Sequence, residues 1–300
     1  MSFVEDALKF HAEHNGMLAV ASKVPLNNRE DLALAYTPGV AEPCKAIKEN
    51  KELSFEYTCR GNTVAIVSDG TRVLGLGDIG PEAAMPVMEG KAVLFKTFGD
   101  VDAIPICIDT KDPEEIIETV RRLQPAFAGI NLEDFSSPKC YEIEDRLREI
   151  CDIPVFHDDQ HGTAIACLSA VMGALRYVKK DIKDVKVVVN GCGAAGSAIG
   201  RLFVSMGFPN VIMVERVGAL YKGIDAKLDK NQRYLSEVTN PNMEKGTLAD
   251  VAKGADILVG VSGPNLFTKE IIASMADKAI VFGLANPVPE TSYEAAIAAG

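Results

Sequence analysis

The apolar positions along this chain switch repeatedly between a period of about 3.6, one face of a helix, and a period of two, one face of a strand. The first twenty residues set Val4, Leu8 and Ala12 on one side of a predicted helix. The segment Val24-Pro25-Leu26-Asn27-Asn28 breaks that pattern. Thr37-Pro38 then ends any helix before it, because proline crowds the helical conformation of the preceding residue. Two β-rich runs, 63–68 and 72–75, flank Asp69-Gly70 and predict a β-hairpin. Further on, the pattern predicts a helix over 82–96, a strand over 103–108 and a helix over 113–123. FAGINLEDF reads as a strand, CYEIEDRLREI as a helix, and IPVFHDDQHGTA as a short strand with a turn.

The run 163–177 is apolar nearly all round and predicts a buried helix joining two domains. Beyond Lys179-Lys180-Asp181 a second series opens with VKVVVN, a glycine turn and a helix to Met206. Strands are predicted over 211–215, 257–261 and 279–284, with helices near 247–253 and 268–275. Strands alternating with helices predict an α/β protein. Residues 1–160 read as an N-terminal α/β domain, and 161–300 as a Rossmann-type dinucleotide-binding domain with a parallel sheet.

Composition narrows the partners. Lys and Arg number 31 against 42 Asp and Glu, a net charge of −11, so nucleic acid is excluded as a main partner. No apolar run approaches the ~18–20 residues of a membrane span, and the acidic start lacks the features of a secretory signal. The seven cysteines stand singly, with no CxxC or Cys/His pair, which predicts reduced thiols and a cytoplasmic protein.

Two GxGxxG matches differ in context. Gly75-Leu76-Gly77-Asp78-Ile79-Gly80 precedes Pro81 and Pro86, and its next strand has no acid in the ribose position, so it reads as a tight strand-to-helix turn. Gly191-Cys192-Gly193-Ala194-Ala195-Gly196 follows a strand, opens a proline-free helix and has Glu215 at the end of the next strand. That context predicts dinucleotide binding by Gly191, Gly193, Ala194, Ala195 and Gly196, with the pyrophosphate at the helix N-terminus. Glu215 would accept hydrogen bonds from a ribose 2′-hydroxyl and repel a 2′-phosphate, favouring NAD over NADP. Arg216 and Lys222 leave NADP open.

Carboxylates pair twice where predicted strands run out: Glu133-Asp134 and Asp158-Asp159. Strand ends of parallel α/β sheets are where ligands bind, and hard cations such as Mg²⁺ or Mn²⁺ take oxygen ligands. Helix caps and solvated turns are the alternative. Neighbours on a strand face opposite ways, so both members of a pair can hold one ion only at an irregular strand end. His157 and His161 flank the second pair in a turn sequence, which speaks against zinc.

LAYTPGV (34–40), GLGDIGPEAAMPVMEGKAVLFK (75–96), INLEDF (130–135), FHDDQHGTA (156–164), the Gly191 fingerprint and FGLANPVPE (282–290) occur in this order. Together they resemble the malic enzymes over nearly the whole chain. The resemblance implies oxidative decarboxylation of malate to pyruvate and CO₂ with NAD, or NADP, and Mg²⁺ or Mn²⁺. It also implies a homodimer or larger assembly, with the active site in a cleft between the domains. Tyr36 resembles the family's acid, Lys91 the base and Arg72 the clamp on a substrate carboxylate. Glu133, Asp134 and Asp159 resemble the metal ligands, with Asp158 in support, and Asn286 the asparagine at substrate and cofactor. A nearby cation would help Tyr36 share its proton, and Lys91 is the candidate.

The family pattern continues past residue 300, so a C-terminal truncation is expected. Thr291 after NPVPE and Asp100 in FGDVDA depart from it without touching a named role. Rival readings are a metal-independent two-domain dehydrogenase and a non-catalytic nucleotide-binding module.

Overall fold

The computed structural model describes residues 2–73 and 75–299. It divides into two compact units. The first runs to Val73 and includes Asp78–Phe135 and Ile143–Phe156; the second holds 75–77, Ser136–Glu142 and everything from His157 onward.

The chain begins with helices α1 (Phe3–His14), α2 (Arg29–Ala35), α3 (Ala41–Glu49) and α4 (Ser54–Tyr57), none of which contains a fully buried residue. Ser2 and Glu5 form a capping box at the start of α1. The predicted Val4/Leu8 face exists, but it is solvent-exposed in this chain. The sequence reading missed α3 and α4, since four-to-nine-residue segments give little period to read.

A four-stranded sheet follows, built from β1 (Thr63–Ser68), β2 (Asp102–Cys107), β3 (Gly129–Leu132) and β4 (Val155–His157) in the order β2-β1-β3-β4. Helices α5 (Pro81–Gly99), α6 (Pro113–Leu123) and α7 (Lys139–Ile150) connect its strands. On α5, Ala84, Met88 and Ala92 recur every fourth residue and are buried. Met88 and Ala92 form one apolar cluster with Ile66 of β1 and Ala103 of β2.

The hairpin predicted at Asp69-Gly70 does not form. β1 pairs in parallel with β2 and β3, both later in the chain. Gly70 instead folds back under the entrance to α5, where a Cβ would lie 2.2 Å from the Gly80 carbonyl oxygen. Its own carbonyl accepts from the N–H groups of Ile79 and Gly80.

Helix α8 (Thr163–Val178) follows β4, burying Ala164, Cys167, Val171 and Leu175 along one side. Ile165 and Tyr177 stay exposed, so this helix is not buried all round as its composition predicts. After it come β5 (Lys186–Asn190), α9 (Ala194–Ser205), β6 (Asn210–Glu215), β7 (Gly218–Ala219), α10 (Lys230–Val238) and α11 (Leu248–Val251). The chain then continues through β8 (Ile257–Gly260), α12 (Lys269–Ala273), β9 (Ile280–Gly283) and α13 (Tyr293–Ile297).

The sheet order β7-β6-β5-β8-β9 is parallel except for the two-residue β7. Alternation along β5 explains the layers. Val187 and Val189 join Val171, Ile199 and Phe203 in one core, whereas Val188 joins Ile212, Leu258 and Phe267 in another. Both faces are covered, as in a doubly wound Rossmann-type sheet.

Candidate functional site

Adjacent strands β3 and β4 of the first sheet deliver the paired carboxylates to one edge. Glu133 extends β3, its N–H donating to the Val67 carbonyl at 2.9 Å. Asn131 and Glu133 share a strand face, and Asn131 Nδ2 donates to Glu133 Oε2 at 2.9 Å. Lys91, on α5, sets its Nζ 3.3 Å from Glu133 Oε1. Asp134 then adopts left-handed backbone, with φ at +59°. This is the irregular strand end that lets two successive carboxylates serve one site, and aspartate is among the residues that tolerate it. The Arg72 N–H donates to the Asp134 carbonyl at 2.9 Å, so the segment after β1 is tied to the end of β3.

Past β4 the chain makes a single π-helical turn, Asp158–Gly162, a feature that often marks functional sites. Gly162 leaves room for Asp158: a Cβ there would stand 2.2 Å from Oδ1. Asp159 Oδ2 lies 3.8 Å from Nε2 of the buried His157. One oxygen each from Glu133, Asp134 and Asp159 can be chosen so that all lie within 4.8 Å of one another. Three carboxylates at that separation, two of them buried, fit a hard divalent cation such as Mg²⁺ or Mn²⁺.

In the second unit, β5 delivers the glycine turn. Gly191 has φ at +115°, and a Cβ on it would meet the Val261 carbonyl oxygen at 3.0 Å. At Gly196 a Cβ would stand 1.9 Å from the Gly191 oxygen, so only glycine lets α9 pack this closely. Gly193 has no atom within 4 Å of its missing side chain, leaving an open approach to the N-terminal residues Ala194 and Ala195 of α9. Glu215, ending β6, accepts from the Cys192 N–H at 3.3 Å. These residues fit a dinucleotide, with backbone N–H groups for the pyrophosphate and a carboxylate for the ribose. Burial, and secondarily Glu215, pushes the Cys192 thiol well above its ordinary range, so it is an inert part of the turn.

The remaining expected residues are less gathered. Tyr36 follows α2 and is 68% exposed, and no hydrogen bond joins it to Lys91 among the described residues. The expected Tyr36–Lys91 pairing is therefore not observed. Arg72, Arg216 and Asn286 are exposed. Lys222 is exposed, its Nζ 3.4 Å from Glu237 Oε2. The sequence reading missed Asn131, although its i, i+2 spacing from Glu133 on one strand face was a usable signal. It also missed Glu290, a carboxylate with no solvent exposure.

Residues 15–148 match the family model of the malic enzyme N-terminal domain, and 160–299 that of the malic enzyme NAD-binding domain. The chain is 53% identical to an NAD-dependent malic enzyme of Geobacillus stearothermophilus, covering 94% of this chain and 59% of that protein. It is 46% identical to an NADP-dependent malic enzyme of Escherichia coli, covering 95% of this chain and 38% of that protein. A crystal structure of an NAD-dependent malic enzyme from Thermotoga maritima superposes with a TM-score of 0.95 at 48% identity, covering 98% of this chain and 78% of that one.

Proposed function

Because the chain belongs to the malic enzyme family, we propose that it oxidises and decarboxylates malate to pyruvate and CO₂ with a nicotinamide dinucleotide and a divalent cation. The observation that carries this reading is the convergence of Glu133, Asp134 and Asp159, with Lys91 against Glu133. A nucleotide-binding module without catalysis would have no use for that set. In this reading residues 1–160 supply acid–base and metal chemistry, and 161–300 the cofactor site.

Bound, the cofactor supplies the hydride acceptor, and the Mg²⁺ or Mn²⁺ held by Glu133, Asp134 and Asp159 supplies a Lewis acid. Asp158 supports that ligand set from the same π-helical turn. Lys91 takes the proton of the malate C2 hydroxyl. Arg72 binds a substrate carboxylate, and Tyr36 protonates C3 of the enolate left by CO₂, completing pyruvate. Asn286 orients substrate against the nicotinamide. Gly191, Gly193, Ala194, Ala195 and Gly196 seat the pyrophosphate, and Glu215 accepts from the ribose hydroxyls, which favours NAD, with Arg216 beside it as the route to NADP.

The exposed apolar residues of the N-terminal arm, Phe3, Val4 and Leu8 among them, support a homodimer or larger assembly. Among the described residues no disulfide links the cysteines, which supports a reducing, cytoplasmic setting. No helix among the described residues is long and apolar enough to cross a membrane. The test is reduced-cofactor formation from malate, with NAD and NADP in parallel, each with and without Mn²⁺. Mn²⁺-dependent turnover, faster with NAD, is expected; cofactor and Mn²⁺ both failing to bind overturns the reading.

A further inference from the structure

Glu290 is a carboxylate with no solvent exposure, on the segment that carries Asn286. Its Oε1 accepts from the Ser262 N–H at 2.8 Å, and its Oε2 from the Ala285 N–H at 3.1 Å. Ser262 lies just beyond β8 and Ala285 just beyond β9, so one side chain ties together the loops leaving two neighbouring strands. Those strands are shaped to admit it. A Cβ on Gly260, the last residue of β8, would stand 2.4 Å from Glu290 Cδ, and one on Gly283, the last of β9, 3.3 Å from the Glu290 nitrogen.

The link continues towards the glycine turn. Ser262 Oγ accepts from Asn190 Nδ2 at 2.8 Å, and the Asn190 carbonyl accepts from the Val261 N–H at 3.0 Å. Asn190 immediately precedes Gly191, whose missing side chain would lie 3.1 Å from Ser262 Cβ. The loops after β5, β8 and β9 thus meet in one hydrogen-bonded relay: Glu290, Ser262, Asn190. Burying a carboxylate costs several kcal/mol unless its oxygens are satisfied, and an apolar side chain would fill the same space without that cost. No ion pair engages Glu290 among the described residues; backbone N–H groups at the ligand-binding edge of the sheet hold it instead.

We propose that Glu290 is a positioning residue for the dinucleotide, acting through Ser262 and Asn190 to hold the Gly191 turn and the Asn286 loop in register. The inference rests on the reading of the Gly191 turn as the cofactor site. It predicts that cutting the relay at Glu290 or at Ser262 loosens the cofactor without disturbing the carboxylates at the edge of the other sheet.

The test is titration of the 300-residue chain with NADH by nicotinamide fluorescence, alongside Mn²⁺ titration by calorimetry. Glu290→Gln keeps one acceptor oxygen and turns an NH₂ towards a backbone N–H; it is expected to raise the NADH Kd about tenfold, or about 1.4 kcal/mol. Ser262→Ala, which removes the acceptor of Asn190, is expected to raise it about threefold, and the double variant no further than Glu290→Gln alone, as for members of one network. Mn²⁺ affinity should not change in either. A Kd within twofold of the parent in folded variants overturns the proposal, as does additivity or an equal loss of Mn²⁺ binding. If Glu290→Gln does not fold, Ser262→Ala decides. NADH failing to bind the parent chain would overturn the cofactor reading itself, and this proposal with it.

Discussion

Lys91 Nζ stands 3.3 Å from Glu133 Oε1, with the lysine side chain 22% exposed and the glutamate 7%. A helix of the first sheet's outer layer thereby delivers a cation to the strand end that carries the candidate metal ligands. The pair sets lysine beside carboxylate, and the same nitrogen, as the neutral amine, is the base in the proposed reaction.

Replacing Lys91 by Ala is expected to lower kcat about 10²–10⁴-fold, the usual contribution of a placed acid or base. The NADH Kd should stay within about twofold, since Lys91 lies on α5, whereas the glycine turn lies between β5 and α9. Steady-state kinetics and fluorescence titration on one preparation check this. Equal loss of both would remove Lys91 from the chemistry.

Asp134 separates charge from backbone. Asparagine tolerates left-handed φ as aspartate does. Asp134→Asn should therefore keep the melting temperature near that of the parent while weakening Mn²⁺ binding at least tenfold. Asp134→Val loses the charge and also strains the backbone, adding about 1–2 kcal/mol of destabilisation. Calorimetric Mn²⁺ titration and thermal melts distinguish them.

The two fingerprint glycines fail in different ways. Gly196→Ala places a methyl 1.9 Å from a backbone oxygen and should cost stability outright, about 1–3 kcal/mol, seen as a lower melting temperature. Gly193→Ala meets no protein atom within 4 Å, so the fold should be intact. Its methyl occupies the approach to the helix N-terminus, and NADH binding should weaken more than tenfold. Unchanged binding there would place the pyrophosphate elsewhere.

Glu215→Gln removes the charge that opposes a 2′-phosphate. The ratio of kcat/KM for NADP to that for NAD should rise about tenfold, the effect of ~1.4 kcal/mol. A ratio that does not move would pass the discrimination to other residues.

Burial pushes the Cys167 thiol from its ordinary 9.0 up to about 12. The folded state thus favours the protonated thiol. Its contribution is fully present below the unfolded value and declines as pH rises from there towards 12, so melting temperature should fall on that alkaline side. At neutral pH a thiol-specific chromogenic reagent should label the exposed Cys44 and Cys59 quickly, and the buried Cys140, Cys167 and Cys192 only after unfolding.

The N-terminal half shows where sequence reading stops. The 113–123 helix matches the structure because a polar turn, Asp112 capping and a strong 3.6 period all point the same way. Asp69-Gly70 is a strong local signal for a hairpin, yet the partners of β1 are β2 and β3, which arrive later in the chain. Strand pairing is settled by which apolar faces can be buried together, and no local window contains that information.

Much of the cofactor site is local, and the sequence determined it: a β-branched strand, glycines at turn spacing, an uninterrupted helix and an acid ending the next strand are consecutive choices with direct steric reasons. Glu133, Asp134 and Asp159 could also be named from the sequence. Their convergence within 4.8 Å was decided by the tertiary structure, through the adjacency of β3 and β4, the left-handed turn at Asp134 and the π-helical turn after His157. Tertiary structure likewise decided that Lys91 meets Glu133 and that Glu290 spans two loops. Such relationships depend on packing between segments distant in the chain, where burial and hydrogen-bond satisfaction outweigh any local preference.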